Sequence, residues 1–192
     1  MARIGMHGMK YGLLVTTGAG AETTYEASKE FKGAISADIS PNNAEAKLHY
    51  DNTLGEYASA FQDATITLTA ADDTDDVFAD LLGRTQETLT GRWRTNINDK
   101  VPYIGFGYIV SKIVSGANKY GVVFFPKMKF KPFVPSASTK GESLEFNTIS
   151  VEGQILANKY GDWESHIEVV DLVEATAELD KYFTEPLSDP AA

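Results

Sequence analysis

The sequence contains no cysteine, which excludes disulfides, thiolate metal sites and a cysteine nucleophile together. That fits a protein that assembles in a reducing compartment and then serves outside one. It also lacks any run of apolar residues long enough to cross a membrane as a helix. The opening MARIGMHGMKYGLLV breaks up its apolar residues with glycines, His7 and Lys10, so no cleavable signal peptide is expected and folding in a cytoplasm is. Histidine is scarce. His7, His49 and His166 are the full set, and no pair has metal-ligand spacing. There is no nucleophile elbow, phosphate-binding glycine loop or dinucleotide fingerprint. Glu142 and Glu145 resemble a glycosidase pair only as any acidic chain does by chance. Asp72, Asp73, Asp75 and Asp76 lack the alternating ligands and final Glu of a calcium loop. No catalytic, cofactor-binding or metal-binding residue is expected, and the chain reads as a non-enzyme.

What is present is an ordinary core-forming composition. The 192 residues are 43% hydrophobic, which suits one domain with or without extended arms. The net charge is −10, from 17 basic and 27 acidic residues. A chain this acidic does not grip nucleic acid by neutralising phosphates. The charge is also segregated. Residues 92–140 carry nine Lys and Arg against Asp99, residues 162–192 carry nine carboxylates against Lys181, and residues 63–80 carry six carboxylates and no base. Segregation of this kind favours one docking orientation between copies and disfavours others.

Residue patterning is mainly β. Residues 10–16 read as a first strand. Ile35, Ala37 and Ile39 alternate with polar residues over 33–40, and Ala64, Ile66, Leu68 and Ala70 alternate with threonines over 64–71. Further strands are expected at 103–114, 119–125, 127–133, 144–158 and 163–170, with SGAN (115–118) as a hairpin loop. In PKMKFKPF, Lys127, Lys129 and Lys131 share one face and Met128 and Phe130 the other. Trp163, Ile167 and Val169 are expected to point together, with His166 on a solvated face. A short helix follows residue 71, with 72–74 as its cap, Val77, Phe78, Leu81 and Leu82 as its core stripe and Gly83 as its close. A second helix is expected at about 172–183, stopped by Pro186.

Residues 41–62 fit none of these patterns. They open with Pro-Asn-Asn turn chemistry, offer at most a short strand at KLHY, and are long for a loop in a compact domain. They still carry Leu48, Tyr50, Leu54, Tyr57 and Phe61, too apolar a set for a solvated linker. The expectation is a long inter-strand loop that orders against a partner. The aromatics Tyr103, Phe106, Tyr108, Tyr120, Phe124, Phe125, Phe130 and Phe133 accompany the basic stretch. They read as a β core rather than a single-strand nucleic-acid platform, since the rest of the chain repels phosphate. The glycines of GFGY (105–108) read as places of close backbone approach.

The order of these features resembles the major tail proteins of siphovirus-type phages and related prophages. The resemblance is carried by ARIG and KYGLLVT, GAISADISPNNAEAKLHYDN, TITLTAADDTDDVFADLLG, VPYIGFGYIV, YGVVFFPKMKF, FNTISVEGQI and KYGDW, in that order over about residues 2–183. It implies a tail-tube fold: a β-sandwich or barrel of two antiparallel sheets with a flanking short helix, a long inter-strand loop and a C-terminal helix. It implies a domain over 10–183, an N-terminal arm at 1–9, an inter-ring stacking loop at 41–62 and a C-terminal tail at 184–192. It also implies hexameric rings stacked into a tube within the virion tail, assembled in a host bacterial cytoplasm with tape-measure and tail-terminator partners. DNA would pass transiently through the bore; no membrane and no cofactor are involved. The candidate inter-ring contacts are Leu48, Tyr50, Leu54, Tyr57 and Phe61. The candidate charged contacts are Lys127, Lys129, Lys131, Asp72, Asp73, Asp75 and Asp76. The alternatives are a related ring protein (a tail terminator or a contractile-system tube component) and a carbohydrate-binding β-sandwich module.

Overall fold

In a computed structural model the described residues are 2–15, 24–50, 53–71, 75–88, 90–114, 116–133 and 148–185. Among them the strands are β1 (Ala2–Val15), β2 (Thr24–Tyr25), β3 (Lys29–Glu30), β4 (Ala34–Tyr50), β5 (Thr53–Ala70), β6 (Thr85–Gln86), β7 (Trp93–Arg94), β8 (Ile104–Val114), β9 (Ala117–Phe130), β10 (Ile149–Ile155) and β11 (Ser165–Val169), and the helices are α1 (Asp75–Leu82) and α2 (Leu172–Thr184). The chain is mainly β. One antiparallel sheet of nine strands runs β2-β1-β8-β9-β10-β5-β4, with β3 also on β1 and β11 also on β9, and β6-β7 form a small separate ribbon. Of the two antiparallel sheets expected, one is large and bends, and the other is only the small β6–β7 ribbon.

Pro126 marks the bend. Upstream of it β9 pairs with β11 through residues 120–124, and downstream with β10 through 128–130. The β8–β9 register slips here, between Ile104 and Phe106. Proline has no N–H for a ladder, so it is tolerated at such an irregularity. The two strands expected at 119–125 and 127–133 are thus one kinked strand. The far edge of the sheet curls back until β4 approaches β1. The enclosed core takes Met9 and Tyr11 from β1, Ile66 and Leu68 from β5, Phe106 and Tyr108 from β8, and Phe125, Met128 and Phe130 from β9. Phe78, Leu81 and Leu82 of α1 close one opening of it. Gly83 ends that helix at φ +66°, where an added Cβ would lie 2.4 Å from the Lys100 carbonyl oxygen, so only glycine fits the turn. Residues 72–74, expected to cap α1, lie outside the described residues.

The outer face of the β8–β9 ladder carries a second core. Ala175, Leu179 and Phe183 of α2 lie on Ile109, Val122 and Phe124, with Tyr25 against both Phe124 and Phe183. Asp171 caps α2, its carboxylate accepting from the Val173 amide at 3.2 Å. Gly105 and Gly107 make this layer possible. A Cβ on Gly107 would lie 2.5 Å from Leu179 Cδ1, and one on Gly105 2.4 Å from Tyr25 Cε1. Close approach, as expected for GFGY, is the reason for both.

Other expectations need correction. Residues 2–9 are not a separate arm but the first half of β1, paired with β8 from Ala2↔Ile113 to His7↔Ile109. Residues 41–62 are not a loop. Their described part continues β4 and β5 as an antiparallel hairpin as far as the Tyr50↔Thr53 pair. The β8–β9 connection is shorter than SGAN, since Val114 already pairs with Ala117. Trp163 precedes β11 and packs on the enclosed core, whereas Val169 packs under α2, so the two do not share a face.

Candidate assembly surfaces

The hairpin of β4 and β5 has two halves with different surroundings. Its inner half is part of the sheet: Leu68 pairs with Ala37 and Val151, Ile66 with Ile39 and Gly153. These positions share the core face because directly paired residues of an antiparallel ladder point the same way. Beyond Asn42 the ladder slips by one residue at Gln62, and β10 has already ended at the Ile155↔Ala64 pair. From there β4 and β5 pair only with each other among the described residues, and residues 43–48 and 55–60 are all exposed. At ~3.4 Å per residue, the eight residues 43–50 carry the arm about 25 Å past the sheet.

The arm has two unlike faces. One pairs Ala44 with Ala60, Ala46 with Ala58 and Leu48 with Glu56. The other pairs Glu45 with Ser59 and Lys47 with Tyr57, and there Lys47 lies 5.7 Å from the centre of the Tyr57 ring and 3.4 Å from Glu45. Leu48 and Tyr57, expected to act together, are therefore on opposite faces, exposed by 57% and 53%. Tyr50 and Leu54 are in the last rungs, and only their backbone is described. Phe61 is not free for a partner. It stacks on Trp163 with ring centres 4.7 Å apart, and so anchors the arm to its own subunit. The alanine face was missed in the sequence because alanine at alternate positions of an exposed strand makes no strong hydrophobic period.

Lys127 and Lys129 of β9 and Lys131 just beyond it do share a face opposite the buried Met128 and Phe130. Lys127 and Lys129 both lie over the Tyr103 ring, 4.8 and 5.3 Å from its centre, a cation–π arrangement. Lys131 forms an ion pair with Glu152 of β10, so it is already neutralised. Tyr103, Lys129 and Lys131 line a hollow of about 700 Å³ with Lys100, Gln154 and Leu156. Asp99 on its rim accepts the Asn96 amide at 2.7 Å.

Of the acidic candidates, Asp72 and Asp73 lie outside the described residues, and Asp75 and Asp76 open α1. Asp80 of the same helix, not singled out from sequence, ties it to the sheet. It accepts from the Tyr11 hydroxyl at 3.1 Å and pairs with Lys29 at 2.5 Å. Burial, followed by the Asp80 charge, holds the Tyr11 hydroxyl well above its ordinary pKa. At the corner between β11 and α2, Val170 and Val173 are exposed by 71% and 75% beside Asp171 and Glu174. This patch was also missed, since both valines lie outside the periodic stripe that identified the helix. Nearby Lys112 pairs with Glu168 at 2.5 Å and approaches His166 Nε2 at 3.3 Å; the Lys112 hydrogen bond lowers the Glu168 pKa.

Among the described residues no group of three or more His, Asp or Glu is placed to hold a metal ion. The chain matches no protein-family model and no curated protein. The functional reading therefore rests on residue order and on the surfaces just described.

Proposed function

We propose that the chain is a tube subunit of a long-tailed phage tail, six copies closing into a ring and rings stacking into a hollow conduit for DNA. The observation that carries the proposal is the projecting arm formed by residues 43–50 and 53–60, a self-paired hairpin with an apolar face that nothing among the described residues covers. An exposed hairpin standing free of its sheet gains little from its own chain, and so is best accounted for by contact with a neighbouring copy. A second feature points the same way. β4 has no strand on its outer side among the described residues, and a long unpaired edge is a template for another chain. Heterologous contacts that close in one direction and repeat in another produce rings and then a tube. The net charge of −10 suits a bore that repels the phosphate backbone, so that DNA slides without adhering. The tape-measure and terminator partners, and the virion location, follow from the same reading.

The test is negative-stain electron microscopy of the purified chain over a range of concentrations. Rings and tubes of constant width support the reading. A chain that remains a monodisperse monomer at high concentration, and also when the other tail components are supplied, refutes it.

A further inference from the structure

The basic ledge and the apolar acidic corner lie on one face of the subunit, at opposite ends of β9. Ile109, Val122 and Phe124 point outward under α2, and past the irregularity at Pro126 the outward positions become Lys127 and Lys129. Val169 of β11 pairs with Tyr120, and the chain turns there into α2. Helix α2 then runs back towards the ledge, with Leu179 over Gly107 and Phe183 over Gly12. Nine residues separate Tyr120 from Lys129, about 30 Å along an extended strand.

The two ends are complementary in charge and in apolar character. Six of the described lysines are engaged by a carboxylate, among them Lys10 by Asp180, Lys29 by Asp80, Lys112 by Glu168 and Lys131 by Glu152. Lys127 and Lys129 have no ion pair among the described residues, and both ammonium groups lie over the half-exposed ring of Tyr103. At the other end, Glu174 is exposed and has no ion pair among the described residues, beside the exposed Val170 and Val173. Two ammonium groups over one aromatic ring repel each other, and a carboxylate between them relieves that repulsion.

We infer that the ledge of Tyr103, Lys127 and Lys129 receives the β11–α2 corner of a second copy of this chain, with Glu174 between the lysines and Val173 against the Tyr103 ring. The partner is a second copy because the matching surface is present on the same chain. In a head-to-tail arrangement each subunit uses one end of this face as donor and the other as acceptor, and the assembly then has a direction. This rests on the tube reading above and names one of its contacts.

The experiment compares the wild-type chain with Lys129→Glu, Glu174→Lys and the chain carrying both, each first shown to fold by circular dichroism. Polymer is measured by sedimentation and microscopy at low and high salt. Each single reversal is expected to raise the concentration needed for polymer by about tenfold, and the double reversal to recover most of that loss, because a contacting pair is non-additive. High salt is expected to weaken wild-type polymer. Wild-type tubes that neither reversal affects overturn the contact while leaving the tube reading intact. Single reversals whose losses add in the double variant also overturn it, as does a ledge that binds a single-stranded oligonucleotide while polymerisation is unchanged by Lys129→Glu. A wild-type chain that never polymerises overturns both readings.

Discussion

The indole of Trp163 lies flat on the ring of Phe61, with centres 4.7 Å apart and planes 13° from parallel. This contact joins the segment before β11 to the point where the hairpin leaves the sheet. Phe61 also packs on the enclosed core, so it is a hinge pin for the arm rather than part of its free surface. Phe61→Ala is expected to cost about 1–3 kcal/mol, less than a fully buried phenylalanine. Chemical denaturation measures the loss, and the Trp163 emission, read in a Trp93→Phe background, should shift to the red. Unchanged stability and emission would show that the stack carries no load.

The arm beyond that pin should be dispensable for folding. Glu45 and Ser59 pair directly, so residues 46–58 can be replaced by an Asn-Gly turn that matches the twist of the strands. The melting temperature is expected to change by no more than about 2 °C, because the described side chains among those deleted, 46–48 and 55–58, are exposed. Ring stacking should be lost. Normal tubes from the shortened chain would remove the arm from the assembly.

Gly107→Ala probes the packing of α2. The new methyl would lie 2.5 Å from Leu179 and 3.1 Å from Phe124, closer than carbon atoms approach without strain. Either α2 lifts or the strand shifts, at an expected cost of about 1–3 kcal/mol. Gly116→Ala is the control for glycine loss away from packing: nothing lies within 4 Å of its Cβ, although its φ of +83° adds backbone strain. In Gly107→Ala alone, hydrogen exchange should accelerate across residues 172–184. Equal protection of α2 in both variants would contradict the crowding argument.

Alkaline pH should weaken the fold. Burial raises the pKa of Tyr25, whose hydroxyl donates to the Pro126 carbonyl at 2.7 Å, and burial with Asp80 raises that of Tyr11. The folded state therefore holds these protons after the unfolded chain has begun to release them. The sign follows: their contribution is complete below the unfolded value of about 10 and is lost as pH rises through the folded values. The urea midpoint should fall above about pH 10, and Tyr25→Phe should flatten part of that slope. A midpoint independent of pH through this range would rule out tyrosine linkage.

Much of the molecule could be read from residue order because the local signal and the tertiary environment agree. In 64–70 every second residue is buried, so the threonine alternation registers the true faces of β5. Leu179 and Phe183 fall at helical spacing because α2 has one buried side. The lysine face of β9 and the segregation of charge were likewise visible, since they depend only on adjacency in the chain.

Other features depend on residues far apart in sequence. Nothing local tells residues 43–48 and 55–60 that they are strands, because both faces are exposed and no core imprints a period on them. Their pairing is set by the inner half of the hairpin, held by β10. Phe61 has the same apolar character as Leu48, and only the arrival of Trp163 from a hundred residues downstream separates an internal anchor from a free contact. Likewise, composition marks residues 92–140 as basic, but it is folding that engages Lys112 and Lys131 with carboxylates and leaves Lys127 and Lys129 over Tyr103. The sequence by itself determined the types of the core strands and of both helices and the sign of each surface, through periods of two and 3.6 residues and the order of charges. The tertiary structure decided which groups are satisfied within the subunit and which remain for a partner, because that depends on contacts between strands distant along the chain.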